Sequence, residues 1–213
     1  MDNAGSFPCR TPTPTPMIDD KHLNRMQRKK AVIDEHIADA STARGVLLVH
    51  TGNGKGKSSS AFGLVARALG HGYRVGVVQF VKARSDTGEE AFFRRQEGIS
   101  WHVMGEGFTW ETQDQEKDAA AARKAWQQAR IFLHDPAIKL LVLDELTYAF
   151  KYHWLDLADA LDDLAARPLM QHVVITGRGA PEALVAAADT VSDMSMIKHA
   201  FQAGIQAMPG VEF

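Results

Sequence analysis

The chain has one cysteine, Cys9, in 213 residues. A single thiol excludes an internal disulfide and a thiolate metal cage, and it fits a reducing cytosol. Excess charge is also missing: the formal net charge is -2. No global basic field therefore points to nucleic acid. No apolar run approaches the roughly 20 residues needed to span a membrane. The N-terminus lacks the apolar core of a signal peptide. The nine histidines are scattered, and none forms the i, i+4 pair of a helical zinc site. There is no Ser/His/Asp order and no nucleophile elbow, so a nucleophile supplied by the protein has no support. No internal repeat is visible. With 45% hydrophobic and 23% charged residues, the chain suits one globular domain with a sizeable core. The expectation is a soluble, cytoplasmic protein that binds neither nucleic acid nor membrane.

What is present centres on Thr51-Gly52-Asn53-Gly54-Lys55-Gly56-Lys57-Ser58. This stretch follows the apolar run Gly45 to Val49 and precedes a helical pattern. Strand, Gly-rich turn, then Gly-Lys-Ser opening a helix is the setting of a phosphate-binding loop. Glycines let backbone N–H groups approach phosphate oxygens without a Cβ in the way. The helix N-terminus adds partial positive charge. Gly52, Asn53, Gly54, Lys55 and Gly56 would line the nucleotide's phosphates. Lys57 would reach the outer ones, and the Ser58 hydroxyl would ligate an accompanying magnesium. The loop departs from the usual spacing, because Thr51 stands where the first Gly belongs. It reads G-x-x-x-G-K-S, one residue short, which leaves the nucleotide's orientation open.

Residues 1–18 form a Pro/Thr-rich leader, expected to be disordered. Residues 19–41 read as a basic helix, with Leu23, Met26, Ile33 and Ile37 on one face. Residues 42–213 hold five or six strands alternating with helices. The strands are expected at Val46–His50, Val75–Val81, Ile99–Met104, Leu140–Leu143 and Val173–Thr176, with an edge strand at Thr190–Ser192. Helices are expected at Ser58–Leu69, Thr87–Glu97, Thr112–His134, His153–Ala166 and Pro181–Ala188. Thr112 and Gln115 would form a capping box, and Ala122, Trp126, Ala129 and Leu133 the buried face of that helix. Continuous apolar strands between helices imply an α/β fold: a mostly parallel sheet covered by helices on both faces. Ligands of such sheets gather at the carboxyl ends of the strands. The phosphate loop, Lys82, residues 106–110, Asp144-Glu145 and Arg178 all fall there.

Leu140 to Glu145 has the form of a Walker B strand, in which Asp144 or Glu145 holds the metal directly or through water. Lys55, Lys57, Lys82 and Arg178 would neutralise a triphosphate. That charge serves either phosphoryl transfer or departure of the whole triphosphate. Phe108 and Trp110 project to one side of an extended Gly-rich loop, which suits a flat apolar ligand as well as core packing.

Taken together these residues resemble the ATP:corrinoid adenosyltransferases of the bacterial, phosphate-loop type. The matching segments are residues 51–58, Val78-Gln79-Phe80-Val81-Lys82, Met104 to Thr112, Val142 to Tyr148, Ile175 to Gly179, and Lys198 to Phe201 with Ala203-Gly204. They cover about residues 20 to 213, in order, and the shortened loop belongs to the family pattern. Family members often carry Thr at the position of Ser58, and the hydroxyl is retained. The resemblance implies that a Co(I) corrinoid attacks the 5′ carbon of ATP and releases triphosphate, in cobalamin biosynthesis or salvage. ATP would lie reversed in the loop, with its ribose exposed. Lys57 and Glu145 are the implied catalytic residues, and Ser58, Glu145 and Asp144 the implied ligands of Mg²⁺ or Mn²⁺. Phe108 and Trp110 would displace the lower axial ligand of the corrinoid. Arg178 and Lys82 would contact nucleotide. A flavin-type electron donor and a homodimer, with the N-terminal helix over a site, are also implied. The rival reading is a kinase or ATPase transferring the γ-phosphoryl group; a third is a nucleotide-dependent switch.

Overall fold

The computed structural model describes residues 20–81, 87–104 and 115–212. The Pro/Thr-rich leader, Lys82, Phe108, Trp110 and the Thr112 cap lie outside the described residues. The described residues fall into two units, divided between Ala43 and Arg44. In the first, helix α1 spans Asp20–Asp39. Lys30 and Asp34 pair one turn apart along it, and its apolar face (Leu23, Met26, Ile33, Ile37) is exposed.

The second unit is a three-layer α/β fold. Its strands are β1 (Leu47–Thr51), β2 (Arg74–Gln79), β3 (Ile99–Val103), β4 (Ile138–Asp144), β5 (His172–Thr176) and β6 (Thr190–Asp193). The intervening helices are α2 (Lys57–Gly70), α3 (Gly88–Phe93), α4 (Gln115–Leu133), α5 (Thr147–Lys151), α6 (Leu157–Ala165) and α7 (Glu182–Ala187). The sheet order is β3-β2-β4-β5-β1-β6, and every pairing is parallel. Parallel neighbours need a crossover between them, and helices supply it.

Strand β4 shows why the apolar runs are continuous. Its Leu141 and Leu143 join one core layer with Trp126, Phe132 and Leu133 of α4. Leu140 and Val142 join the other, with Ala61, Phe62 and Val65 of α2. Successive side chains point to opposite faces, so a strand covered on both sides needs apolar residues at every position. The expected buried face of α4, namely Ala122, Trp126, Ala129 and Leu133, is buried.

The helix expected over His153–Ala166 starts later, as α6, and α5, just before that span, was not anticipated. His153 adopts a left-handed φ of 57°, and Trp154 N–H turns back to Ala149 O at 2.9 Å. Asp156 then caps α6 by accepting from Asp159 N–H at 3.0 Å, a local bond that starts a helix there rather than three residues earlier. Among the described residues no helix is long and apolar enough to cross a membrane.

Leu141 is fully buried between β2 and β5. Leu141→Ala should lower the unfolding free energy by about 3 kcal/mol through lost burial and the cavity left behind, measured by urea denaturation.

Candidate active site

Strand β1 delivers the chain into the phosphate loop, and β6 clamps that loop from the side. Met194 N–H donates to Thr51 O at 2.9 Å, and Gly54 N–H donates to Met194 O at 2.5 Å. A Cβ on Gly52 would lie 2.5 Å from Asp193 Oδ1, and one on Gly54 would lie 2.5 Å from Met194 O. Only glycine permits that approach. The Gly54 amide is therefore spent on Met194 rather than aimed at a ligand. Gly56 then caps α2 without any side-chain bond to the helix amides. The first-turn N–H groups of α2 are left to an anion, which their partial positive charge favours.

Beside this helix start lies a cleft of about 350 Å³. It is lined by Lys55, Gly56, Lys57 and Ser58 from the loop and helix, Gln79 from β2, Asp144 and Glu145 from the end of β4, Tyr148 from α5, and Arg178 after β5. Four separate strand ends thus converge, as the carboxyl edge of a parallel sheet should. Gly52 and Asn53 shape the loop but do not line the cleft. Lys57 is buried, and its Nζ donates to Gly54 O at 2.7 Å. Burial lowers its pKa, against the opposing pull of the Glu145 carboxylate.

The two carboxylates play unlike parts. Asp144 has both oxygens engaged: Gln79 Nε2 donates to Oδ2 at 2.9 Å, and Thr176 Oγ1 donates to Oδ1 at 2.7 Å. Gln79 is itself held by Trp101 Nε1, which donates to its Oε1 at 3.0 Å. Glu145 sits at a left-handed φ of 59°, steadied by its N–H donating to Thr176 Oγ1 at 2.9 Å. Its Oε2 is buried without a hydrogen-bond partner. Burial, then the charge of Asp144, pushes its pKa up to about 7. Gly177 makes room here: a Cβ would lie 2.0 Å from Thr147 Oγ1 and 3.3 Å from Glu145 Oε2. Thr147 Oγ1 donates to Arg178 O at 2.9 Å, fixing the turn that presents Arg178.

Sequence reasoning did not assign roles to Gln79, Thr176, Trp101 or Tyr148. A glutamine in the otherwise apolar run Val75 to Val81 was the available signal, since a buried amide must find partners.

The fold and the cleft define a phosphate-loop α/β protein. The family model for ATP:corrinoid adenosyltransferase BtuR/CobO/CobP matches residues 43–213, and a model for the N-terminal part of cob(I)alamin adenosyltransferase matches residues 13–37. The chain belongs to the ATP:corrinoid adenosyltransferase family, and its members are transferases. It is 63% identical over 200 residues to a corrinoid adenosyltransferase of Pseudomonas aeruginosa, covering 93% of this chain and 98% of that one. It is 44% identical over 197 residues to the corrinoid adenosyltransferase of Escherichia coli K12, covering 92% and 100%. It is 45% identical over 197 residues to corrinoid adenosyltransferase CobA of Salmonella typhimurium, again covering 92% and 100%.

The raised pKa of Glu145 has a stability consequence in protein free of metal and nucleotide. The folded value, about 7, exceeds the ordinary 4.5, so the folded state holds the proton more tightly than the unfolded one. The contribution is fully present below pH 4.5 and is lost as pH rises through about 7. Glu145→Gln should therefore stabilise the protein at pH 8 by on the order of 2 kcal/mol and change little near pH 4.5, read from paired denaturation curves at the two pH values.

Proposed function

We propose that the protein transfers the 5′-deoxyadenosyl group of ATP to a Co(I) corrinoid, in cobalamin biosynthesis or salvage. The match of the adenosyltransferase family model across residues 43–213 carries this reading. The cleft agrees with it. Among the described residues, its lining offers cations, an uncapped helix start and the carboxylates Glu89, Asp144, Glu145 and Glu212, but no cysteine or histidine. The nucleophile then comes with the substrate: the Co(I) electron pair attacks the ATP 5′ carbon. A cobalt–carbon bond forms, the carbon–oxygen bond to the α-phosphate breaks, and that bonding pair leaves with triphosphate.

What the chain must do is grip the leaving group. Lys57 and the first-turn amides of α2 hold its phosphate oxygens, and Lys55 and Arg178 add charge at the rim. Groups already aimed at the developing charge need no reorganisation during the reaction, which is where such sites gain most of their rate. A divalent cation, Mg²⁺ or Mn²⁺, fits the oxygen donors present. The unpartnered Glu145 Oε2 and the Ser58 hydroxyl would hold it, with Asp144 acting through water because both its oxygens are occupied. When bound, such an ion supplies further positive charge to the departing triphosphate. Phe108 and Trp110 serve the corrinoid by displacing its lower axial ligand, which makes Co(I) easier to reach. Lys82 adds a nucleotide contact. A flavin-type donor supplying the electron, a homodimer and a cytoplasmic location complete the proposal.

Two experiments test it. Incubation with ATP, Mg²⁺ and chemically reduced corrinoid should yield inorganic triphosphate; ADP and phosphate would instead establish the kinase or ATPase reading. In the same assay Lys57→Ala should lower kcat by about 10²- to 10³-fold, the scale for removing one preorganised charge-stabilising donor. Phe108→Ala with Trp110→Ala should cost much more activity from Co(II) than from chemically pre-reduced Co(I). Equal losses would remove the proposed role of the aromatics.

A further inference from the structure

The C-terminal turn comes back to the phosphate loop. After β6 the chain runs through a short 3-10 turn, Ala200–Ala203. It then closes through a turn in which Glu212 N–H donates to Met208 O at 3.0 Å. That turn places Val211 and Glu212 on the wall of the same cleft as Lys57, Ser58, Glu145 and Arg178. The Glu212 carboxylate forms an ion pair with the ammonium of Lys55. The Glu212 side chain is only 21% exposed, whereas that of Lys55 is 47% exposed.

A carboxylate in this position is unexpected on electrostatic grounds. A cleft that takes a polyanion gains nothing from another negative charge on its wall, and like charges there oppose binding. The pair is also not needed to close the loop. The backbone bonds of Thr51 and Gly54 with Met194 already do so. What Glu212 does engage is the one loop lysine that is free to move, since Lys57 is buried on Gly54 O. Lys55 also borders a second cleft, with Lys198 and His199, so open space lies beside its side chain on more than one side.

We propose that Glu212 is an internal competitor for the phosphate-binding lysine: its carboxylate occupies Lys55 when no nucleotide is bound and gives it up to a phosphate oxygen when nucleotide enters. Because inorganic triphosphate leaves as a free product, the same exchange run backwards returns Lys55 to Glu212 and weakens the hold on that product. Glu212 thereby sets affinity for the polyphosphate tail at the C-terminal end of the chain. This inference rests on the reading of residues 51–58 as the triphosphate cradle.

The test is direct binding of inorganic triphosphate, and separately of ATP, to the full chain by titration calorimetry at low salt. Glu212→Gln keeps the shape and removes the charge. It should tighten triphosphate binding by roughly 3- to 5-fold, the scale of one exposed ion pair, and the gain should shrink as salt is raised. Glu212→Lys should tighten binding further. In a Lys55→Met background the effect of Glu212→Gln should fall by at least half, because the competition has lost its object. Triphosphate binding that Glu212→Gln leaves unchanged or weakens overturns the inference while leaving the cradle reading intact. Failure of the unaltered protein to bind triphosphate removes both.

Discussion

The carboxyl edge of the sheet is held by one chain of buried hydrogen bonds, and the site depends on it. Trp101 on β3 holds Gln79 on β2, Gln79 holds Asp144 on β4, and Asp144 accepts from Thr176 on β5. Thr176 Oγ1 in turn accepts from the Glu145 amide. Four adjacent strands are thereby tied at their ends by side chains, beyond the backbone ladder. Both oxygens of the Asp144 carboxylate accept a hydrogen bond, and the Gln79 side-chain amide donates through Nε2 and accepts at Oε1; in a low-dielectric interior a satisfied network stiffens what it joins. Breaking one link would leave a buried polar group alone, which costs more than the bond itself gains.

That stiffness allows strain where the chain leaves the sheet. Glu145, a residue with a Cβ, sits at positive φ, a conformation that persists only when its surroundings impose it. Here Thr176 fixes its amide, and Gly177 leaves space for its side chain. On the other flank the shortened loop is not slack. The strand end of β6 bonds to it at both Thr51 and Gly54. Asp193 and Met194, at the end of this edge strand, lie directly against the loop glycines Gly52 and Gly54.

The sheet was legible because its strands are apolar on both faces and its helices show one buried stripe, so periodicity distinguishes them. The loop and the acidic end of β4 were legible because glycine, lysine and carboxylate at those positions have few other uses together. Other features were not. The break between α5 and α6 depends on a left-handed His153, a backbone choice that composition does not announce. In sequence Asp144 and Glu145 are adjacent carboxylates with no sign of which has free oxygens. Their difference comes from Gln79 and Thr176, more than 30 residues away in either direction and brought alongside only by the strand order. The contact of Glu212 with Lys55 spans 157 positions, and no local pattern could report it.

The electrostatics of the cleft point to a ligand that carries both signs of charge. Lys57 and Glu145 are each partly stripped of water, and their pKa values move toward neutrality from opposite sides: burial lowers the lysine and raises the glutamate. They do not pair with each other. Lys57 turns to a loop carbonyl and Glu145 Oε2 has no partner. A protein that needed only stability would have joined the two or replaced them with apolar residues, because an unpaired buried charge is costly. Holding them apart makes sense when an incoming group supplies a polyanion to the lysine and a cation to the carboxylate together. The proposed polyphosphate with its divalent ion would do so, and binding it would restore the interactions that folding withheld.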